Sequence, residues 1–186
     1  MNSNYFKLFM KFNKVKHGKN LLLKGLPIIY NKKGASIKIG DNCTIKSSFL
    51  SNLVGLYQRT IIVTRTPEAK IEIGNNVGIS GATIYARKGI YIGDNTLVGG
   101  NVKIIDNDFH PIEVEARNKD IKDKIGTKEI VIGKNCFIGC NVLILKGTKI
   151  SDGSVVGAGS VVCGEFPKNV VIVGNPGKVI KKLEVK

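Results

Sequence analysis

The sequence predicts an all-β solenoid, in which short parallel strands wind into coils that stack on one another. Aliphatic residues recur at every sixth position from Ile132 to Val162 without a break. Glycine makes up 22 of the 186 residues, which is high for a globular chain and indicates many tight turns. Neither the period of 3.6 residues of an amphipathic helix nor the period of two of a single strand produces this spacing. A repeat of fixed period is instead the mark of a solenoid.

Three six-residue repeats are expected to form the three sides of one triangular coil. The aliphatic residue fills the interior, and Gly, Asn or Asp forms the corner because a positive φ costs these residues little. Cys43 and Cys136 occupy small inward positions and are expected to pack. Six repeats in register disfavour the alternative, an ordinary β-sandwich. The residues in register are Ile132, Ile138, Ile144, Ile150, Val156 and Val162, and the same pattern begins earlier at Ile39, Ile73 and Ile92.

Composition narrows the classes of function. The formal net charge of +15 favours anionic partners: nucleic acid, an acidic membrane surface or a polyphosphate cofactor. The absence of Trp and the low share of aromatic residues, 6%, disfavour nucleic acid. Four cysteines without a C-x-x-C pair and two distant histidines disfavour a zinc site. No apolar stretch approaches the ~20 residues of a membrane span, so a cytoplasmic, reduced protein is expected.

The repeats divide the chain into three predicted parts. Residues 1–35 form a basic N-terminal segment or cap, residues 36–167 the repeat solenoid, and residues 168–186 a C-terminal tail that packs on it. The repeats stop after Ile104 and resume at Ile130, which leaves an inserted loop over residues 105–129. Insertions in solenoids project as loops, where function concentrates.

Two segments carry a resemblance to a known family. Residues 110–118, HPIEVEARN, lie between two blocks of repeats, and residues 166–180, FPKNVVIVGNPGKVI, follow the last block. With the repeats, they resemble the hexapeptide-repeat acyltransferases, in the sugar O-acetyltransferase branch that includes maltose and galactoside acetyltransferases. The resemblance implies a left-handed parallel β-helix that transfers an acetyl group from acetyl-CoA to a sugar or surface-polysaccharide precursor. It also implies a homotrimer with active sites between subunits and no required metal.

The resemblance assigns the general base to His110. An alcohol must lose its proton as it attacks a thioester, and a histidine, with a pKa of ~6.5, accepts a proton near neutral pH. Asp106 and Asp108 either orient the imidazole, hold a sugar hydroxyl or cap the turn. Arg117 is expected to pair with a glutamate of the loop.

The resemblance also places the thioester on the later repeats. The N–H of Cys140, in the turn with Gly139, is assigned to the oxyanion, and a covalent role for this cysteine is the weaker hypothesis. Ser80 and Asn101 either face the acceptor or form corners. The coenzyme is expected to contact Gly139, Cys140, Ala158, Gly159, Cys163, Lys178 and Lys181.

Several alternatives stay open at this point. N-acetylation of an amino sugar, or acetylation of a xenobiotic, would use the same base and donor. A binding module without chemistry is the non-enzyme alternative, whereas a carbonic anhydrase needs three zinc-binding histidines and the chain has two. The N-terminal segment, rich in lysine, either caps the solenoid or makes peripheral contact with the inner face of a membrane.

Overall fold

The fold follows from a computed structural model that describes residues 3–184, with side chains from Leu8 onward. The first two residues of the predicted N-terminal segment and the last two of the predicted tail lie outside the described residues. Within that range the chain forms three sheets, of seven, eight and six strands, which are the sides of a triangular solenoid and are parallel except for the last strand of the eight-stranded sheet. The predicted coil of three sides is confirmed.

Each coil passes through sheet 1, sheet 2 and sheet 3 in turn. The first four coils are β1 (Val15–His17), β2 (Leu22–Lys24) and β3 (Ile28–Asn31); β4 (Ser36–Ile39), β5 (Thr44–Lys46) and β6 (Ile61–Thr64); β7 (Lys70–Ile73), β8 (Gly78–Ser80) and β9 (Thr83–Ala86); and β10 (Gly89–Ile92), β11 (Leu97–Gly100) and β12 (Lys103–Ile105). The later coils are β13 (Ile130–Ile132), β14 (Phe137–Ile138) and β15 (Leu143–Ile144); β16 (Lys149–Ile150), β17 (Val155–Val156) and β18 (Val161–Val162); and β19 (Glu165–Phe166) with β20 (Val170–Gly174). A last strand, β21 (Gly177–Lys182), pairs antiparallel with β20 at the edge of sheet 2.

The aliphatic residues of the repeats fill the interior as predicted. In sheet 1, Ile37 pairs in register with Ile71, then with Ile90 and Ile130, and none of the four is exposed. Parallel strands stack about 4.8 Å apart, so each aliphatic side chain contacts its equivalents above and below. The result is one continuous apolar column along the axis.

The corners between sheets 1 and 2 explain the asparagines and glycines of the repeat. Asn42, Asn76 and Asn95 all have φ near +56°, and their side-chain amides bond to one another from coil to coil at 3.2 and 3.0 Å. Gly93 lies beside them, and a Cβ there would approach the backbone of Gly133 in the next coil to 2.6 Å. Close stacking of coils therefore requires glycine at this corner.

The solenoid is longer than its predicted bounds at both ends. Val15 of β1 pairs with Ile37 of β4, so a complete coil lies inside the segment 1–35 that was predicted as an appendage. In the described part of the chain the helix α1 (Ser3–Phe12) precedes this coil, and Met10 is buried against the open end of the core. At the other end β20 pairs in parallel with β17, so sheet 2 continues into the predicted tail.

Two insertions interrupt the coils. The first was predicted as residues 105–129 and spans residues 106–129 in the structure, because Ile105 still belongs to β12. It leaves at the corner from sheet 3 to sheet 1, which we call the third corner, and contains α2 (Val114–Asn118) and a 3-10 turn. A second insertion, residues 47–60, leaves β5 at the corner from sheet 2 to sheet 3, the second corner, and was not predicted. Both insertions therefore flank sheet 3.

Candidate functional site

The inserted loop is anchored at its root by the carboxylate of Asp106. This side chain is fully buried and accepts hydrogen bonds of 2.7 to 2.8 Å from the backbone N–H groups of Arg87, Lys88 and Gly89. The amide of Asn107 donates a further bond at 3.0 Å. With its oxygens occupied in the interior, Asp106 holds the loop on the preceding coil, so the predicted contact with acceptor or imidazole is corrected to the turn-capping alternative.

His110 is presented by a tight turn on this root. Phe109 has φ +62°, and its N–H donates to the side chain of Asn107 at 2.9 Å. The N–H of His110 donates to the carbonyl of Asp108 at 2.7 Å. The ring of Phe109 lies 4.9 Å from that of Tyr85, centroid to centroid. The turn thus leaves His110 exposed at the third corner, beside sheet 3.

Neither aspartate orients the imidazole within this chain. Asp108 forms an ion pair with Lys146 across the base of the loop. Among the described residues, no hydrogen bond to the ring of His110 is present. Arg117 donates to the carbonyls of Pro111 and Ile112 at 3.3 and 2.8 Å, and the predicted glutamate pair is absent from the described ion pairs.

A free backbone donor lies at the second corner. The N–H of Gly139 donates to Val156, and that of Asn141 donates to Gly100, both at 2.8 Å. Between them, the N–H of Cys140 has no acceptor in the part of the chain that the structure describes. A backbone N–H that is held in place and left unpaired is suited to bind an oxyanion.

The next coil continues this row of small residues. The N–H of Gly159 donates to the carbonyl of Cys140 at 2.9 Å, while that of Ala158 has no acceptor among the described residues. A Cβ on Gly139 would come within 2.6 Å of the Ala158 nitrogen. Ala158 and Gly159 are both exposed, so their backbone is accessible along the corner.

The other predicted coenzyme contacts are divided between different places. Lys178 pairs with Val173 at the second-corner end of β20 and is exposed. Lys181 pairs with Val171, at the other end of that strand, and does not join the row. Cys163 follows β18 and is exposed at the third corner, on the edge of sheet 3 that carries His110.

Ser80 and Asn101 hold the second insertion. The hydroxyl of Ser80 accepts a hydrogen bond from Asn52 at 3.1 Å. Asn101, with φ +61°, accepts from the N–H of Tyr57 at 3.2 Å and donates to the carbonyl of Gly55 at 2.9 Å. Both predicted acceptor residues are buried, and these contacts favour the corner role that was their alternative. They fix an exposed apolar loop that includes Phe49, Leu50, Leu53, Val54 and Tyr57.

The two groups of the candidate site therefore lie at opposite ends of the strands of sheet 3. His110 lies at the third corner, after the C-terminal end of β12. The free N–H of Cys140 lies at the second corner, before the N-terminal end of β15. Because β12 and β15 are parallel neighbours, with Lys103 opposite Leu143, these two places are at opposite ends of one strand pair. The two groups are thus not adjacent within one chain, and no group of three potential metal ligands converges among the described residues.

The chain is similar to known acyltransferases along most of its length. The family described as Bacterial transferase hexapeptide (six repeats) matches residues 129–164. A putative acetyltransferase of Saccharomyces cerevisiae is 36% identical over 169 residues, which is 83% of each chain. The putative lipopolysaccharide biosynthesis O-acetyl transferase WbbJ of Escherichia coli is 31% identical, over 82% of this chain and 75% of the relative. The chain belongs to the hexapeptide-repeat transferases.

Among solved structures, a maltose O-acetyltransferase from Clostridium difficile matches this hexapeptide-repeat transferase with a TM-score of 0.60 and 28% identity, over 100% of this chain and 79% of the other. The predicted left-handed parallel β-helix and the predicted membership of the hexapeptide-repeat family are confirmed. The chain spans 44% to 63% of three further curated relatives, which are a putative acetyltransferase of Schizosaccharomyces pombe and the galactoside O-acetyltransferases of Lactococcus lactis and Escherichia coli.

The insertion over residues 47–60 is the part of this hexapeptide-repeat transferase that sequence reasoning missed. Its signal was present as a gap, because the repeat that reaches Ile45 resumes only at Ile62, although both are fully buried. The gap contains five exposed aliphatic or aromatic residues, which give it the composition of a strand: Phe49, Leu50, Leu53, Val54 and Tyr57. Their lack of a six-residue spacing was the observation that would have revealed a loop.

Proposed function

We propose that this enzyme transfers the acetyl group of acetyl-CoA to a hydroxyl of a sugar or of a surface-polysaccharide precursor, with His110 as general base. One observation carries the proposal. The exposed imidazole and the free N–H of Cys140 occupy opposite edges of the same sheet, so the third corner of one copy and the second corner of the next together supply both groups.

The chemistry follows from these two groups. The imidazole accepts the proton of the sugar hydroxyl as its oxygen forms a bond to the thioester carbonyl carbon. The negative charge that develops on the carbonyl oxygen is stabilised by the N–H of Cys140. When the C–S bond breaks, the imidazolium returns the proton to the sulfur, so the products are the acetyl ester and the free thiol of coenzyme A. His110 ends the cycle neutral.

The donor is proposed to lie along the second corner. The unpaired N–H of Ala158 and the exposed backbone of Gly159 are available to the amide groups of a pantetheine arm. Lys178 lies at the end of that row and can meet a phosphate as a point charge. Lys181 lies too far along β21 for the same contact, so we assign it no role.

The enzyme is proposed to work as a homotrimer. A contact between two different edges of the same molecule is heterologous, and it closes when rotation brings the last copy back to the first. The outward face of sheet 3 supports such a contact because, apart from Thr83 and Lys103, it is largely apolar where a free solenoid face would be polar. Its apolar members include Ile61, Val63, Ile105, Leu143, Leu145 and Val161, all half-buried in the single chain.

A cytoplasmic location is proposed with this function. The cysteines Cys43, Cys136, Cys140 and Cys163 are all unpaired, which fits a reducing compartment. No helix in the described part of the chain is long and apolar enough to cross a membrane. Residues Leu8 and Phe12 of α1 are exposed, so peripheral membrane contact stays the alternative to a capping role alone.

The test measures thiol release from acetyl-CoA with a panel of sugars. The wild type is expected to release thiol in the presence of a sugar, and His110→Ala to lose this by about 100-fold or more. Lys146→Gln is the matched control, because it alters the base of the loop without touching the imidazole. Release that persists in His110→Ala would contradict the proposed base.

A mixing experiment tests the shared site. Gly139→Val blocks the second corner and His110→Ala removes the base, so each variant alone is expected to be inactive. Mixed trimers formed by co-expression would regain about a quarter of the sites by random assortment around a closed ring. If each active site lay within one chain, co-expression would restore no activity. That result would exclude a site shared between two copies.

A further inference from the structure

We propose that the acceptor carries an oxyanion, a carboxylate or a phosphate, which Arg87 and Arg65 bind beside His110. The inference rests on the proposed function and names its class of acceptor: an acidic sugar or a sugar phosphate in place of a neutral one.

The two arginines belong to a column of cations along the third corner. Sheet 3 is in register from Asn31 to Thr64 and Ala86, so the residues that follow, Lys32, Arg65 and Arg87, lie one above the other. Backbone bonds from Lys32 to Thr64, at 3.3 Å, and from Arg65 to Ala86, at 2.8 Å, continue that register into the corner. Successive coils are about 4.8 Å apart, so the two arginines leave the backbone at neighbouring levels of this corner, and both line the pocket beside His110.

This column leads directly to the proposed base. Arg65, Arg87 and His110 line one pocket with Tyr85, Asn107 and Phe109. The carboxylate of Asp106 binds the backbone of Arg87, which ties the position of the arginine to the root of the loop that carries His110. A ligand bound to the arginines is therefore held next to the imidazole.

Neither guanidinium has an anionic partner in the described chain. The side chain of Arg65 lies 5.6 Å from the ring of Tyr30, and Arg87 takes part in none of the described ion pairs. Asp108 is paired with Lys146, and Asp106 is saturated by N–H donors. The adjoining pocket on the far side of Arg87 contains Glu68 and Asp123, and neither forms an ion pair with it.

Adjacent like charges without a counter-ion repel each other, so binding of an anion relieves that repulsion. A guanidinium presents a planar fork that matches a carboxylate or phosphate with two parallel hydrogen bonds. A neutral sugar hydroxyl offers neither charge nor that geometry. The pair therefore favours an acceptor with an oxyanion over a neutral one.

The location separates this subsite from the donor. The free N–H of Ala158 and the side chain of Lys178 lie on later coils, toward the C-terminal end of the solenoid. Arg65 and Arg87 lie on the two coils that precede His110, toward the N-terminal end. The imidazole thus stands between an anion site for the acceptor and the proposed track of the donor, which is the order that direct transfer requires.

The experiment compares acceptors that differ by one oxyanion: galactose against galacturonate, and glucose against glucose 6-phosphate. Thiol release from acetyl-CoA gives kcat and KM for the wild type, Arg87→Gln, Arg65→Gln and the double variant. Lys149→Gln is the charge-matched control, since it removes one exposed cation from sheet 1.

The charged acceptors are expected to have kcat/KM at least about 10-fold above their neutral counterparts, from charge-assisted hydrogen bonds. The double variant should lose this preference through KM for the charged acceptor, with kcat and KM for acetyl-CoA retained. The relative values for galacturonate and glucose 6-phosphate identify the oxyanion. Equal use of charged and neutral acceptors by the wild type, or an equal loss for both in the double variant, would overturn the inference.

Calorimetric binding of the same four sugars without acetyl-CoA tests the anion subsite separately from the proposed acetyl transfer. If no acceptor supports turnover but the double variant alone loses binding of a charged sugar, the proposed function fails and the anion subsite stands. If charged and neutral sugars bind alike to wild type and double variant, the subsite fails whatever the turnover. Inorganic phosphate that binds as tightly as glucose 6-phosphate would also contradict an acceptor site.

Discussion

The carboxylate of Asp106 accepts a hydrogen bond of 2.7 Å from the backbone N–H of Lys88, a residue of the preceding coil. Together with the bonds from Arg87 and Gly89, it joins two successive third corners through one buried side chain. The corner that follows β12 carries His110, and the corner that follows β9 carries Arg87 of the proposed anion subsite. Their separation is therefore set by a backbone-to-carboxylate contact and not by the flexible side chains themselves.

This anchor predicts that Asp106→Ala destabilises the protein. The change leaves three backbone N–H groups without their acceptor, and an unpaired buried group costs about 1–3 kcal/mol. Because only Gly89 is fully buried and water can reach Arg87 and Lys88, we expect a loss of about 2 kcal/mol or more in the free energy of unfolding, measured by urea denaturation. Asp108→Ala removes a partly exposed ion pair with Lys146 and is the control, with an expected loss of about 1 kcal/mol or less. Equal effects of the two variants would show that Asp106 is not the anchor.

The contact between Gly139 and Ala158 predicts a steric effect on catalysis. An alanine at 139 places its Cβ 2.6 Å from the Ala158 nitrogen, so the two coils must separate at the free N–H of Cys140. We expect Gly139→Ala to lower kcat by about 10-fold or more and to lower the melting temperature by several degrees.

Gly55→Ala is the control for this change. Gly55 has φ +90°, and a Cβ there meets nothing within 4 Å, so it tests backbone strain alone. It is expected to cost about 1 kcal/mol of stability and to leave kcat within about twofold of the wild type. Full activity in Gly139→Ala would remove Cys140 from the proposed oxyanion site.

The cysteines predict a graded reaction with iodoacetamide. Burial raises the pKa of the Cys43 and Cys136 thiols, which lowers their thiolate fraction as well as their access to the reagent. Cys163 is exposed and should be alkylated first, as followed by mass spectrometry of the folded protein. All four should react together in urea. Early modification of Cys136 in the folded state would contradict its inward position.

Corner aspartates predict a loss of stability in acid. A hydrogen bond from the N–H of Lys134, at 2.9 Å, holds the pKa of Asp152 below its usual value of 3.8, and a bond from the N–H of Asn75 does the same for Asp94. A lowered pKa in the folded state stabilises the fold above the usual value, and this contribution disappears as the pH falls through the folded value.

The urea midpoint should therefore decrease as the pH falls from 5 toward 3, and Asp152→Asn should reduce this dependence. Asp123→Asn, which removes the same charge from the inserted loop, is the control. An unchanged pH profile in Asp152→Asn would mean that the ionisation of Asp152 does not contribute to the loss of stability in acid.

The regular part of the fold was accessible from the sequence because each repeat carries its own signal. Residues such as Ile138 and Val156 are fully buried in neighbouring coils, as their spacing indicated. The first coil was missed because Val15, Leu23 and Ile29 are unevenly spaced, and its inclusion depends on the pairing of Val15 with Ile37. Likewise, no local pattern distinguishes Asn101 as a loop anchor from an asparagine at a plain corner.

The sequence alone determined the solenoid, the place of the His110 loop and the hexapeptide-repeat family, because these depend on period and on short motifs. Only the tertiary structure decided which residues share an edge. Stacking brings Arg65 and Arg87 beside His110 although 45 and 23 positions separate them in the chain, and it places Cys140 on the other edge of sheet 3. Insertions change the number of residues between successive strands, so the sequence alone does not give the corner at which a residue lies. The pairing of the strands fixes it.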